Sequence, residues 1–187
     1  MVEESITLKL YRAKNTVFTF KEISLLLKEV NRDILKSKIN YYVKKDVLRQ
    51  VRRGIYVKPD YDRLELASKI YTPSYISLET VLQRNGVIFQ YYEKIFALSY
   101  LSRLIKVDGH EIRYRKIRND ILLNSWGIIW NKNYAIASKE RAFLDCVYLY
   151  RDYHFDNLDA LDKRKVFDLA KIYKSSKFEN KVQKILG

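Results

Sequence analysis

A chain of 187 residues has room for one large or two small domains, and 48% aliphatic and aromatic content is enough for a buried core. Its 36 basic residues against 22 acidic ones give a net charge of +14, which favours a polyanionic partner, nucleic acid before membrane, because neutralised phosphates release counterions. The single cysteine, Cys146, excludes an internal disulfide, and the greasiest run, Ile121 to Trp130, is too short to span a membrane and is broken by Asn124 and Ser125.

The start, Met1 to Ser5, is acidic and lacks the apolar run of a signal peptide, so a soluble, cytoplasmic protein is expected. Ile6, Leu8, Leu10 and Tyr11 predict a first helix. Thr19 reads as an N-cap with Glu22 closing a capping box, and Phe18 and Ile23 occupy the two positions of a hydrophobic staple. Ile23, Leu26, Leu27 and Val30 follow at helical spacing. Asn31 can cap the next helix, whose apolar stripe is read as Ile34, Leu35, Ile39, Tyr42 and Val43. Arg32, Lys36, Ser37, Asn40, Lys44 and Lys45 lie mostly off that stripe.

Leu48 to Val51 and Ile55 to Val57 predict two short strands around a tight turn at Gly54, with Arg52 and Arg53 at its tip. Helix, turn, basic helix and hairpin in this order predict a winged helix-turn-helix over residues 1–60, ended by Pro59 and Asp60. Its partner would be double-stranded promoter DNA, with inverted repeats. Asn31, Arg32, Lys36, Ser37, Asn40, Tyr41 and Lys44 would reach bases or flanking phosphates in the major groove. Arg52 and Arg53 would take phosphate or the minor groove. From Lys9 to Lys58, 14 basic residues face four acidic ones, +10 of the chain's +14.

Residues 61–187 predict a mixed α+β domain with helices gathered at its ends. Leu64, Leu66, Ala67 and Ile70 suggest a linking helix. Ser77 reads as the cap of another, with Ile76 and Val81 in staple positions and Gly86 at its end. Ile95 to Tyr100, Leu104 to Val107 and Glu111 to Ile117 read as strands, with Asp108-Gly109 as a hairpin turn. Trp126 to Trp130 and Tyr134 to Ala137 are further strand candidates, Ser138 caps a helix carrying Phe143, Leu144, Val147 and Tyr148, and one later helix bears Val166, Ala170 and Tyr173.

No chemistry rises out of this second part. His110 and His154 have no ligand-spaced partners, so neither a metal site nor a cofactor is expected. Cys146, among Phe143, Leu144 and Val147, reads as a buried structural thiol. Asp108, Glu111 and Arg113 only faintly suggest a nuclease's carboxylates and base. No catalytic residue is assigned and a non-enzymatic protein is expected. Two rival readings stay open: a DNA-targeted nuclease, and a protein-interaction module with secondary DNA binding.

Three ordered segments together resemble the AbiEi family of type IV toxin–antitoxin (abortive infection) antitoxins. They are Val51 to Tyr56 (Val-Arg-Arg-Gly-Ile-Tyr), Tyr75 to Leu82 (Tyr-Ile-Ser-Leu-Glu-Thr-Val-Leu) followed by Gly86, and Ile136 to Asp145 (Ile-Ala-Ser-Lys-Glu-Arg-Ala-Phe-Leu-Asp) followed by Tyr148. The resemblance implies an N-terminal DNA-binding domain that represses its own operon. It also implies a C-terminal antitoxin domain that counters a nucleotidyltransferase toxin without a stable complex. One departure is visible: Ser138 and Lys139 stand where the family usually has Thr-Pro before the glutamate, here Glu140. Glu140 and Asp145 match the third segment and are expected to serve the fold.

Overall fold

The structure is a computed structural model and describes residues 6–187; the acidic start, Met1 to Ser5, lies outside the described residues. The chain is mixed α+β with two sheets and divides into two compact units, Met1–Ile70 and Tyr71–Gly187.

The first unit runs α1 (Ile6–Arg12), β1 (Val17–Thr19), α2 (Phe20–Leu27), α3 (Arg32–Lys44), β2 (Arg49–Arg52), β3 (Ile55–Val57) and α4 (Arg63–Ile70). The expected capping box starts α2: the Glu22 N–H donates to Thr19 Oγ1 at 3.2 Å, and the Thr19 N–H donates to Glu22 Oε2 at 2.7 Å. The helix stops at Lys28, which turns left-handed (φ 53°) and returns its N–H to Leu25. Asn31 then starts α3 by accepting from the Asp33 and Ile34 N–H groups at 3.0 and 3.1 Å. Leu10, Phe18, Ile23, Leu35, Ile39, Leu48 and Tyr56 form the core of this unit.

Two expectations change here. Ile34 was assigned to the apolar stripe of α3, but the buried residues of that helix are Leu35 and Ile39. Ile34 lies off that face at about a hundred degrees per residue and is 47% exposed. The helix expected to link the modules, α4, is bonded into the first unit. Glu65 Oε2 accepts from the N–H and the hydroxyl of Thr16 at 3.0 and 2.6 Å, and Lys69 reaches Glu22 at 2.7 Å and the Val17 carbonyl at 2.6 Å. The first compact unit therefore runs past Asp60 and takes in α4, to Ile70.

The small sheet has the order β1-β3-β2, all antiparallel, with Val17 opposite Val57 and Arg49 opposite Val57 from the other side. Gly54 turns the β2-β3 hairpin at φ +77°, a left-handed backbone that suits glycine. Its carbonyl accepts from the Phe20 N–H at 3.0 Å, so the tip of the hairpin is tied to the start of α2.

The second unit runs β4 (Ser74–Ile76), α5 (Glu79–Arg84), β5 (Ile95–Ser99), β6 (Arg103–Val107), β7 (His110–Lys116), α6 (Asn119–Leu122), β8 (Ile128–Asn131), β9 (Tyr134–Ala137), α7 (Lys139–Leu149), α8 (Lys163–Ala170) and α9 (Ser176–Leu186). Its six strands are ordered β6-β7-β5-β4-β9-β8. The β5/β7 and β4/β9 pairs are parallel and the rest antiparallel. Asp108 and Gly109 turn the β6-β7 hairpin with φ of 51° and 81°, the pair of left-handed residues such a two-residue turn requires.

Helix α7 is the centre of this unit: every residue from Glu140 to Val147 is buried, and it packs on α5, α8, α9 and β9. Ser138 caps it as expected, accepting from the Arg141 N–H at 3.2 Å. Ser77 does not cap α5; the N-cap position is Leu78 at φ 55°, without a side-chain cap bond. The helix expected to carry Val166, Ala170 and Tyr173 is interrupted, because α8 ends at Ala170 and a 3-10 turn carries the chain through Tyr173. No helix among the described residues is long and apolar enough to cross a membrane.

Candidate nucleic-acid interface

The face of α3 opposite Leu35 and Ile39 is defined by helical spacing. Ser37, Asn40, Tyr41 and Lys44 lie on it and are exposed, with Lys36 on one flank and Ile34 on the other. The polar ends of Ser37, Asn40 and Lys44 make no bond to the described residues. Tyr41 packs edge-on against Tyr42 at 5.2 Å, and Lys45 lies over its ring at 5.9 Å. Lys36 pairs with Asp33 at 3.2 Å, an exposed contact of little energy that an incoming phosphate can displace.

The connection into α3 is braced. Glu29 accepts from the Asn31 N–H at 3.1 Å and pairs with Lys38 at 2.7 Å. Lys38 and that N–H hold the Glu29 carboxyl below the ordinary glutamate range. In α2, burial alone would raise the Glu22 carboxyl, but Lys69 and Thr19 hold it below its ordinary range. Polar bonds therefore fix the start of each helix, local ones at α3 and both local and long-range ones at α2.

The remaining sequence-predicted residues fall into three places. Asn31 is committed through its carbonyl oxygen to the cap, which leaves only its amide N–H groups for a ligand. Arg32 opens α3, exposed but to the side of the outward face. Arg53 is exposed in the hairpin turn, whereas Arg52 is half-buried inside β2 opposite Ile55. The hairpin thus presents one arginine at its tip rather than two.

The charge is spread more evenly than the +10 segment suggested. Glu3, Glu4, Asp60, Asp62 and Glu65 lower the first unit to +7, from 16 basic and nine acidic residues. The second unit, with 20 basic and 13 acidic residues, carries the other +7.

The second unit holds a different kind of polar cluster, which sequence reasoning did not assemble. Asp145 is fully buried and accepts from Tyr173 at 2.6 Å, Ser77 at 2.8 Å and Tyr75 at 3.1 Å. Arg141, equally buried, lies 3.3 Å from Asp145 and donates to Tyr75 and to the carbonyls of Ile121 and Trp126. Burial pushes the Asp145 carboxyl up, opposed by Arg141 and the three hydroxyls; burial also pushes Tyr75 and Tyr173 up, which keeps them protonated donors. Ser77 and Asp145 belong to the two C-terminal segments that carry the family resemblance, so both segments meet at one structural knot. The i, i+4 spacing of Arg141 and Asp145 was the one sequence signal for it.

Glu79 lies on α5 beside Tyr150, whose hydroxyl donates to Oε1 at 3.0 Å. Its Oε2 is buried with no hydrogen-bond partner among the described residues. Burial raises its carboxyl, against its own backbone N–H, Tyr150, Arg115 and Arg113. Cys146 is buried and its thiol is pushed up by burial, a structural thiol as expected. Among the described residues no cluster of histidine, cysteine and carboxylates is arranged to hold a metal ion.

No model of a known protein family matches the chain, and no curated protein is significantly similar to it.

Proposed function

We propose that the first unit binds double-stranded DNA as a winged helix, with α3 as its recognition helix, and that the protein is a transcriptional regulator and AbiEi-like antitoxin. The observation that carries the DNA reading is the outward face of α3: Ser37, Asn40, Tyr41 and Lys44 exposed on a helix capped at its start and braced by the Glu29–Lys38 pair. The element order and the exposed Arg53 in the hairpin turn support it. Asn40 suits adenine, Lys36 and Lys44 suit guanine or phosphate, and Arg53 suits phosphate.

The antitoxin reading rests on the three ordered segments. The knot between Ser77 and Asp145 supports a scaffold role for two of them.

Competition binding on promoter and random duplexes tests the DNA reading. Asn40→Ala is expected to lose about 1–3 kcal/mol of discrimination between the two. Full-chain affinity should fall with salt at a log–log slope of roughly −5 for about six neutralised phosphates. A salt-insensitive affinity, or equal Asn40→Ala losses on both DNAs, would remove the base-reading role. Co-expression with a nucleotidyltransferase toxin of the kind the resemblance implies tests the antitoxin half: growth should be rescued, and continued toxicity beside soluble full-length chain would sink it.

A second reading, an interaction module, is favoured by one observation. Both tryptophans of the chain, Trp126 and Trp130, are 61% and 76% exposed before and on the edge strand β8. Tryptophan is enriched where proteins bind one another. A blue shift of tryptophan emission on adding a nucleotidyltransferase toxin of the kind the resemblance implies would support that reading, and an unchanged spectrum would count against it.

A further inference from the structure

We infer that Val30 and Ile34 read the 5-methyl groups of thymine, which makes this protein selective for A·T base pairs beside the bases contacted by Asn40. The inference rests on the DNA reading above and deepens it.

Val30 directly precedes the N-cap Asn31, where an apolar residue ordinarily packs onto the fourth residue of the helix. That residue is Leu35, buried in the core, yet Val30 is 94% exposed. The Val30 side chain therefore forms no hydrophobic staple onto α3. Ile34 is 47% exposed on the flank of the outward face that continues through Ser37 and Tyr41. Two β-branched apolar side chains thus stand in water where α3 begins, the part of such a helix that meets base edges.

Their surroundings decide the occupant. The exposed cations on the first turns of α3 are Arg32 and Lys36, suited to the phosphates on either side of a groove. The two acids there, Glu29 and Asp33, are each paired with a lysine, Lys38 and Lys36. An apolar patch beside cations whose neighbouring acids are already paired is complementary to the major groove of duplex DNA, and the apolar group that groove displays is the thymine methyl. Val30 is fixed for this contact because its neighbour Glu29 is held by both Lys38 and the Asn31 N–H.

The test begins with sequences selected by the full chain from a random duplex library. The best binder is then made twice, with thymine and with uracil at its A·T positions, which removes the methyl and keeps every hydrogen-bonding edge. The wild type is expected to prefer the thymine duplex by about fourfold for each methyl read, the worth of one buried methyl-sized group. Val30→Ala with Ile34→Ala should bring that ratio to one. Both sites are exposed, so circular dichroism and melting should confirm that the variant folds. A wild type that binds both duplexes equally, or a variant that keeps the preference, overturns the inference while leaving DNA binding intact. Loss of self-association in the variant with an unchanged thymine preference would make the patch a protein contact instead. Failure to bind any duplex would sink the DNA reading itself, and this inference with it.

Discussion

On α3, Ser37, Asn40 and Lys44 end in solvent and Tyr41 is 55% exposed; in the second unit, Ser77, Tyr75, Tyr173, Arg141 and Asp145 end on one another in the core. The side-chain types are nearly the same. Their physical situations are opposite: on α3 the hydrogen-bonding capacity is left open, and in the knot it is closed. A helix face with open capacity costs the fold little and can be matched to a ligand. A closed buried cluster cannot take a ligand without breaking, but it fixes the mutual placement of α7, β4 and the segment after α8. Polar residues in a short sequence segment therefore carry no functional meaning until burial and partners are known.

The sharpest way to break this comparison is Asp145→Ala. If the knot is structural, the change strands the Arg141 guanidinium in the core and should cost about 3–5 kcal/mol of stability. Chemical denaturation of the full chain, with separate probes for the two units, would measure it. The tryptophans report on the second unit, because Trp126 and Trp130 both lie in it. A variant as stable as the wild type would show that Asp145 is not integral to the fold and would reopen a role for it in ligand chemistry.

Legibility in the sequence followed the range of the interactions. The Thr19–Glu22 capping box, the Asn31 and Ser138 caps and the Asp108-Gly109 turn were readable because each is complete within four residues. The knot was not, since Tyr75 and Ser77 stand 70 and 68 residues from Asp145 and Tyr173 stands 28 away. Ser77 was misread for that reason: a serine before a helix suggests a cap, but its hydroxyl is taken by a distant carboxylate. Strand β1 escaped notice because three residues are too few to show alternation. Ile34 was misplaced because an apolar pair, Ile34-Leu35, fits a helical stripe in either register, and only packing selects Leu35. For the candidate interface, Lys36, Ser37, Asn40, Tyr41 and Lys44 were legible as the polar side of an amphipathic helix. The partial burial of Arg52 was not, and neither was the bulge between Gln50 and Arg52 that shifts the register of β2.

Glu79 sharpens the comparison, since it is buried like Asp145 but satisfied at only one oxygen. Its carboxyl is raised by burial. A raised acid binds more protons in the folded than in the unfolded state between the two pKa values. Stability is therefore complete at or below the ordinary glutamate range and falls as pH rises through the folded pKa. Glu79→Gln keeps the shape and the acceptor for Tyr150 while removing the charge. It should leave stability at pH 4 nearly unchanged and add on the order of 1 kcal/mol at pH 8, part of the cost of an unsatisfied buried group. Thermal melts across that range would read the gap. A gap that is constant with pH would mean that Arg113 and Arg115 offset the burial penalty in full, and a gap of opposite sign that they exceed it.

The smallest expected effect separates two neighbouring arginines that the sequence treated as a pair. Arg53 is exposed in the hairpin turn and Arg52 is half-buried in β2. If Arg53 meets a phosphate, Arg53→Ala should flatten the salt dependence of DNA binding by about one in log–log slope. The weakening should be equal on promoter and random DNA, because a phosphate carries no sequence. Arg52→Ala should leave that slope alone and instead loosen the hairpin, seen as a small drop in the melting temperature of the first unit. Salt titrations of the two single variants make the distinction. Equal flattening by both would mean that the half-buried Arg52 still reaches the DNA, and the outward-facing criterion that picks Ser37, Asn40, Tyr41 and Lys44 on α3 would lose its footing.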